Sequence, residues 1–143
     1  MTSKTNVQQA APFFGVSNLE DSLRFYIDGL GFEMTHQWID QGKLRWCWLQ
    51  LGGAAPMLQE FWKEGHHAGQ PEGKLGSGVT ICFVCEDALA IYHQAMARGL
   101  QAGRPYVGNR MWVTSMTDPD GYRLDCESPT DVPEETEYSE PLN

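Results

Sequence analysis

The sequence predicts an α+β domain made of two βαβββ repeats, and three observations predict it. Strand-like and helix-like segments follow one another in the same order twice within 143 residues. Residues of like character recur at a nearly constant distance: Phe25-Tyr26 matches Ile91-Tyr92 at an offset of 66, while Val16 matches Val84 and Gly31-Phe32 matches Gly99-Leu100 at 68. Self-similarity near half the chain length means two copies of one supersecondary unit, and a single copy could not cover both faces of its own sheet. The third observation is Asp118-Pro119-Asp120-Gly121, where Pro sets φ and Gly permits positive φ, so the last two strands are joined by a tight turn.

In order along the chain, residues 1–10 are polar and are expected to be flexible. A short strand runs from Pro12 to Val16. A helix from Leu19 to Gly29 follows, with Asn18 as N-cap and Leu19, Leu23, Tyr26, Ile27 and Leu30 as its apolar stripe. Gly29 and Gly31 end it. Three extended segments come next, Phe32–Ile39, Leu44–Leu51 and Ala54–Trp62, separated by Asp40-Gln41-Gly42 and Gly52-Gly53 turns. Residues 63–77, rich in Gly, form a linker loop. The second round is a strand Val79–Cys85, a helix Asp87–Arg98 with Leu89, Tyr92, Met96 and Leu100 on one stripe, and strands Gln101–Val107, Arg110–Thr117 and Tyr122–Glu127. The repeats therefore span about 11–62 and 78–129 of one domain, 11–129, and 130–143 is an acidic tail.

Composition narrows the class. A hydrophobic fraction of 41%, with five Trp, five Tyr and six Phe, suffices for a core, and a chain of this length buries about two-thirds of its surface on folding. No segment approaches the roughly 20 apolar residues of a membrane span and no leader peptide is visible, so a soluble, unexported protein is expected. Cys47, Cys82, Cys85 and Cys126 are too few for a disulfide scaffold and sit in apolar runs, which fits a reducing cytoplasm. Cys82-x-x-Cys85 lies in the strand-like VTICFVC, where residues three apart point to opposite faces, so a shared metal or redox role is not expected. Net charge is −9. Five of the acids lie in the last thirteen residues without a base, leaving −4 on the rest. An acidic chain without a basic stripe excludes nucleic acid and anionic membranes as expected partners.

VSNLEDSLRFYIDGLGFE and DPDGYRLDCESP resemble the opening and closing motifs of the vicinal-oxygen-chelate superfamily, the group of the glyoxalases, bleomycin-resistance proteins and extradiol dioxygenases. The resemblance covers about Pro12 to Pro129, with Asn18 where the family more often has Asp. It implies the two βαβββ repeats form a cupped mixed sheet. It does not choose a function, since the superfamily holds lyases, isomerases, dioxygenases, thiol transferases and non-catalytic drug binders. Its enzymes use one divalent metal, and the resemblance places the ligand positions at Ala11, Gln59, Val79 and Asp125. Two of these have no ligand atom, whereas a catalytic site normally takes about three protein ligands. Of the histidines, His36 lies in the second strand, His66 and His67 in the linker loop and His93 on the second helix.

Without those ligands a cavity is left that aromatic side chains could line for a flat organic ligand. Alternation places Trp46, Trp48 and Gln50 on one face of the third strand and Cys47, Leu49 and Leu51 on the other. Met57, Gln59 and Phe61 share a face, as do Arg110, Trp112 and Thr114. The expected ligand-binding residues are Trp46, Trp48, Gln59, Trp62, Arg110, Trp112 and Asp125; Trp residues serving as helix-facing core are the plainer alternative. Asp125 receives a cationic ligand or pairs with Arg110 or Arg123. No serine-hydrolase elbow and no phosphate loop occurs.

The preferred expectation is a non-enzymatic, metal-free, cofactor-free homodimer that sequesters an aromatic or cationic small molecule. The first alternative is a metal-dependent lyase, isomerase or dioxygenase with one divalent metal on relocated ligands such as Glu60, His66 or Glu127. The other is a regulatory module whose acidic tail docks on a partner.

Overall fold

The computed structural model describes residues 5–62 and 69–140. Its element order is β1 (Phe13–Val16), α1 (Leu19–Leu23), a π-helical segment Arg24–Gly29, β2 (Glu33–Asp40), β3 (Lys43–Gln50), β4 (Met57–Glu60), β5 (Thr80–Val84), α2 (Ala88–Ala97), β6 (Tyr106–Gly108), β7 (Met111–Thr117) and β8 (Arg123–Pro129). Each repeat makes a four-stranded mixed sheet. The orders are β1-β4-β3-β2 and β5-β8-β7-β6, with β1 parallel to β4 and β5 parallel to β8. The same topology twice is the duplication read from the offsets.

Both helices start where capping chemistry places them. The Asn18 side chain accepts the Asp21 N–H at 3.1 Å, and Asp87 accepts that of Ala90 at 3.0 Å; each satisfies a donor that the first helical turn leaves open. The first helix departs from expectation by widening after Leu23. The Leu30 N–H reaches back to the Phe25 carbonyl at 3.0 Å, and the wider turn carries Phe25 and Tyr26 into the core, Tyr26 with no exposure at all.

Two strands are shorter than expected by more than two residues. The segment read as Gln101–Val107 pairs only at Tyr106–Gly108, because Pro105 has no N–H to give and Gly103 has already turned its own to the Ser115 carbonyl at 2.9 Å. Likewise β4 begins at Met57 rather than Ala54: Ala54 exchanges two 3.0 Å hydrogen bonds with Leu51 in the hairpin turn, and Pro56 interrupts the ladder.

Alternation gives every strand one face towards the helices and one open face. Val16, Cys47, Leu49, Leu58 and Leu124, all inaccessible to solvent, occupy the helix-bearing faces and merge into one core with Phe14, Tyr26, Phe32 and Ala95. The two repeats are joined by specific contacts. The Tyr26 hydroxyl donates to Asp118 at 2.8 Å, the Tyr122 hydroxyl to the Gly15 carbonyl at 2.8 Å, and the Ser17 hydroxyl to Asp120 at 2.6 Å. Phe14 stacks on Tyr122 with centroids 4.5 Å apart. From the other end, Arg98 donates to the Gly29 carbonyl at 3.2 Å.

The acidic segment after Pro129 packs on its own chain as far as it is described. The Val107 N–H donates to Thr136 and the Glu135 N–H to Val107, both at 2.9 Å, so the segment extends the second sheet beyond β6. The Glu134 carboxylate accepts the N–H groups of Asn109 and Arg110 at 2.7 and 3.1 Å, holding a turn in which both residues have positive φ. Tyr138 sits edge-on to Trp112, Tyr92 and His93. Among the described residues no helix is long and apolar enough to cross a membrane.

Candidate functional site

The open face of the first sheet is aromatic. Cross-strand register sets Trp46 opposite Gln59 and Trp48 opposite Met57, and Trp38 opposite Trp46 and His36 opposite Trp48. Directly opposed residues of an antiparallel pair share a face, so Trp38, Trp46, Trp48, His36, Met57 and Gln59 form one surface. Cys47, between the tryptophans, and Leu49, after them, take the core side, as alternation predicts. The Trp48 indole N–H donates to Gln50 at 3.0 Å, and Gln50 in turn donates to the Gly52 carbonyl at 2.6 Å, which fixes the ring's orientation. His36 meets Trp48 edge-on. Trp38 is 45% exposed and Phe13, at the β1 edge, 54%. Trp38 was not singled out by sequence; the signal was its register with Trp46 across a hairpin, which requires the turn at Gln41-Gly42 to be counted correctly.

The open face of the second sheet is polar. Asp125 pairs in register with Cys82 on β5 and Ser115 on β7. Its carboxylate accepts the Ser115 hydroxyl at 2.7 Å and the Arg123 Nε–H at 3.2 Å. Of the two arginines considered as its partner, Arg123 is the one found, and Asp125 is 8% exposed beneath it. The paired carboxylate holds the Arg123 guanidinium above its ordinary pKa. Asp125 is thus a compensated charge. Glu127, next along the same face, lies 3.8 Å from the Cys82 thiol. Burial raises the Cys82 thiol, with the Glu127 and Asp125 charges adding to it, so it stays protonated.

Three expected site residues lie elsewhere. Trp112 shares its face with Thr114, whose hydroxyl donates to the Ala88 carbonyl of α2 at 2.8 Å; it is therefore on the helix-bearing side, opposite to Asp125, where Tyr138 packs against it. Alternation paired Trp112 with Thr114 correctly but could not say which side the helix takes. Arg110 belongs to the β6–β7 turn held by Glu134, five residues before Ser115, the cross-strand partner of Asp125. Trp62 lies tilted against Trp38, centroids 5.8 Å apart, and under the Arg45 guanidinium at 4.9 Å, rather than against Trp46 or Trp48.

The donor set of a family metal site does not fit. Ala11 and Val79 offer no ligand atom, and Asp125 is engaged by a guanidinium that would repel a cation. Glu60 accepts the Leu19 N–H at 3.4 Å and forms an ion pair with the Lys43 ammonium at 2.8 Å, on the helix-bearing side. His66 and His67 lie outside the described residues. Among the described residues one other group offers donors: Cys82, Asp125 and Glu127 have ligand atoms within 4.8 Å of one another. Between the repeats, a cavity of about 630 Å³ runs along the free edge of β5, walled by Phe32, Phe83, Ile91, Cys82, Cys85 and Cys126. The buried Cys126 thiol is pushed up to about 12 by desolvation and is inert as a nucleophile.

Two βαβββ sheets of the same topology, each with one open face, define the architecture, and comparison with known proteins agrees with it. The model of the Glyoxalase/Bleomycin resistance protein/Dioxygenase superfamily matches residues 8–125. The chain belongs to that superfamily. Among solved structures it is similar to TnmS3, an antibiotic binding protein from Streptomyces sp. CB03234 (19% identity, TM-score 0.62, 91% of this chain and 100% of that one covered). It is also similar to TioX from Micromonospora sp. ML1 (13% identity, TM-score 0.67, 86% and 99% covered). A glyoxalase/bleomycin resistance protein from Streptomyces sp. CB03234 matches at 19% identity and TM-score 0.62, with 85% and 100% covered. These likenesses are of fold. No curated protein matches the sequence.

Proposed function

We propose that the protein is a non-catalytic binder of an aromatic small molecule, free of metal and cofactor, that works as a homodimer in a reducing cytoplasm. The observation that carries the reading is the half-exposed surface of Trp46, Trp48 and Trp38 with Gln59 at its centre. Large aromatic rings left unburied on a strand face supply rigid contact area at low entropy cost, and they have no core role to explain them. The likeness in fold to an antibiotic binding protein is in keeping with it. The polar set on the other sheet, Ser115, Asp125 and Arg123, is a preformed hydrogen-bonding surface suited to the oxygen and nitrogen groups of such a ligand. All four cysteines are unpaired, which supports the reducing compartment.

A dimer is supported by what one chain leaves open. β1 and β5 are edge strands, and unpaired edges invite a second chain. Phe13, Val79, Val84 and Leu51, all at or beside those edges, are 54%, 58%, 75% and 45% exposed. A second copy would cover them and close the β5 cavity, and would set the aromatic face of one subunit near the polar face of the other.

Titration with polycyclic aromatic compounds, followed by Trp emission, tests the binding. Quenching that disappears in Trp46→Ala and Trp48→Ala supports it; an emission spectrum indifferent to every compound sinks it. The alternative, a metal enzyme on relocated ligands, has one observation in its favour, the proximity of Cys82, Asp125 and Glu127. Elemental analysis of untagged protein is expected to find no stoichiometric divalent metal. A one-to-one content of zinc, nickel, manganese or iron that falls in Cys82→Ser would favour the enzyme.

A further inference from the structure

Two buried hydrogen-bond donors stand side by side with nothing to receive them. Among the described residues, the Arg45 Nε–H and the Trp62 Nε1–H have no acceptor although both atoms are shielded from solvent. They belong to one unit, the Arg45 guanidinium lying 4.9 Å above the Trp62 ring. Glu60, two residues before Trp62, accepts the Leu19 N–H through Oε1, and its charge is met by the Lys43 ammonium 2.8 Å from Oε2, although Oε2 makes no hydrogen bond of its own. A buried donor without an acceptor is rare in folded proteins and costly, and two of them in one stacked pair ask for a common partner. Since both groups donate and one is a permanent cation, that partner is an acceptor, and an anionic one is favoured.

The pair also connects to the aromatic face. Trp38, opposite Trp46 on that face, is 5.8 Å from Trp62. Trp46, Trp38 and Trp62 thus lead from the open face of the first sheet to Arg45. On the second sheet the charge of Asp125 is already met by Arg123; among the described residues Ser22 Oγ and Glu60 Oε2 are also buried without a hydrogen bond, but Arg45 and Trp62 are the two donors that lie against each other.

We infer that Arg45 and Trp62 form a subsite for a carboxylate or comparably acidic oxygen of the ligand, so that the molecule bound is an aromatic acid rather than an aromatic amine. This rests on the proposed binding reading for the identity of the ligand's aromatic part, and the test keeps the two apart. Three probes of one size, 2-naphthoate, 2-naphthylmethanol and 2-naphthylmethylammonium, are titrated into the full-length protein while the five indole N–H resonances are followed by ¹⁵N–¹H NMR. Trp62→Phe, which keeps the ring and removes the donor, assigns the Trp62 signal.

The expected result is a saturable downfield shift of the Trp62 N–H with 2-naphthoate alone. Its affinity should exceed that of the amine by about tenfold or more, and fall by about tenfold in Arg45→Gln and in Trp62→Phe, as for loss of a charge-assisted hydrogen bond. Arg45→Lys, which retains charge but not the Nε–H, guards against a folding defect and should recover only part of the affinity. If Trp46 and Trp48 respond to all three probes and Trp62 to none, the acid subsite is overturned and the binder stands. A response of Trp62 to 2-naphthoate with Trp46 and Trp48 unmoved supports the subsite and removes the aromatic face from the ligand path. Silence of all five resonances overturns both.

Discussion

Tyr26 and Asp118 show how one pair of side chains can join two halves of a chain. Tyr26 has no exposed surface and its hydroxyl donates to Asp118 Oδ2, while Asp118 Oδ1 accepts the N–H groups of Asp120 and Tyr122 at 2.9 and 3.0 Å. The carboxylate thus closes its own turn and holds the helix of the other repeat. Tyr26→Phe leaves a buried carboxylate oxygen without its donor, so urea unfolding is expected to show a loss of about 1–3 kcal/mol. Desolvation raises the Asp118 pKa above its ordinary value, against the smaller effect of these hydrogen bonds. The folded state therefore binds the proton at a pH where the unfolded chain has released it. Stability linked to this group is greatest in acid and declines as pH rises from the ordinary carboxylate pKa through the raised one. Asp118→Asn should flatten that part of a stability–pH curve; an unchanged slope would show that Asp118 does not titrate there. The motif around Asp118 was legible in the sequence because a turn is local chemistry. Its grip on Tyr26, 92 residues away, was not.

At the scale of elements, the helix ends and the tail decide how the repeats are held. A Cβ on Gly29, the last residue of the π-helical segment, would lie 2.7–2.9 Å from three atoms of Leu100. The repeats approach closely there because this residue is bare. Gly29→Ala is expected to cost about 1–3 kcal/mol through overpacking. Leu100→Ala made in the same chain should offset part of that cost, since neighbours in contact are not additive; strictly additive midpoints in urea would argue against the contact. The stop signals Gly29 and Gly31 were visible in the sequence, but the widening from α to π was not, because it depends on where Tyr26 and Phe32 find their partners. The tail shows the same limit more strongly. Glu134, Thr136 and Tyr138 belong to the segment read as an acidic tail, yet their backbone and side chains bond to Val107, Asn109, Arg110 and Pro105. Truncation after Thr130 should lower the unfolding temperature by several degrees. It should also shift Trp emission to the red as Trp112 loses Tyr138. A truncated chain with unchanged emission would place the tail off Trp112.

For the whole molecule, the open matter is what covers the exposed edges. If two copies close the aromatic and polar faces against each other, Val84→Asp on the β5 edge and Phe13→Asp on the β1 edge should each yield monomers in analytical ultracentrifugation. Both should weaken aromatic binding together with assembly. Monomeric wild-type protein that binds just as well would mean that one chain suffices. The doubled βαβββ plan was readable because it is written as a repeat and as alternation, which need only spacing. The faces were readable only as pairs: Trp46 with Trp48, Trp112 with Thr114. Assigning each pair to helix or to open side required the packing itself, and this is why Trp112 was grouped with Asp125 although a sheet separates them.

The division of every strand between two duties has an evolutionary consequence. Val16, Cys47, Leu49, Leu58 and Leu124 answer to the helices and to one another, so any change there is felt by the fold. Positions 46, 48 and 59 answer to neither. A library randomised at those three should return folded chains at nearly the frequency of a surface library while its binding preferences scatter widely. Such a scaffold can change its cargo faster than its shape.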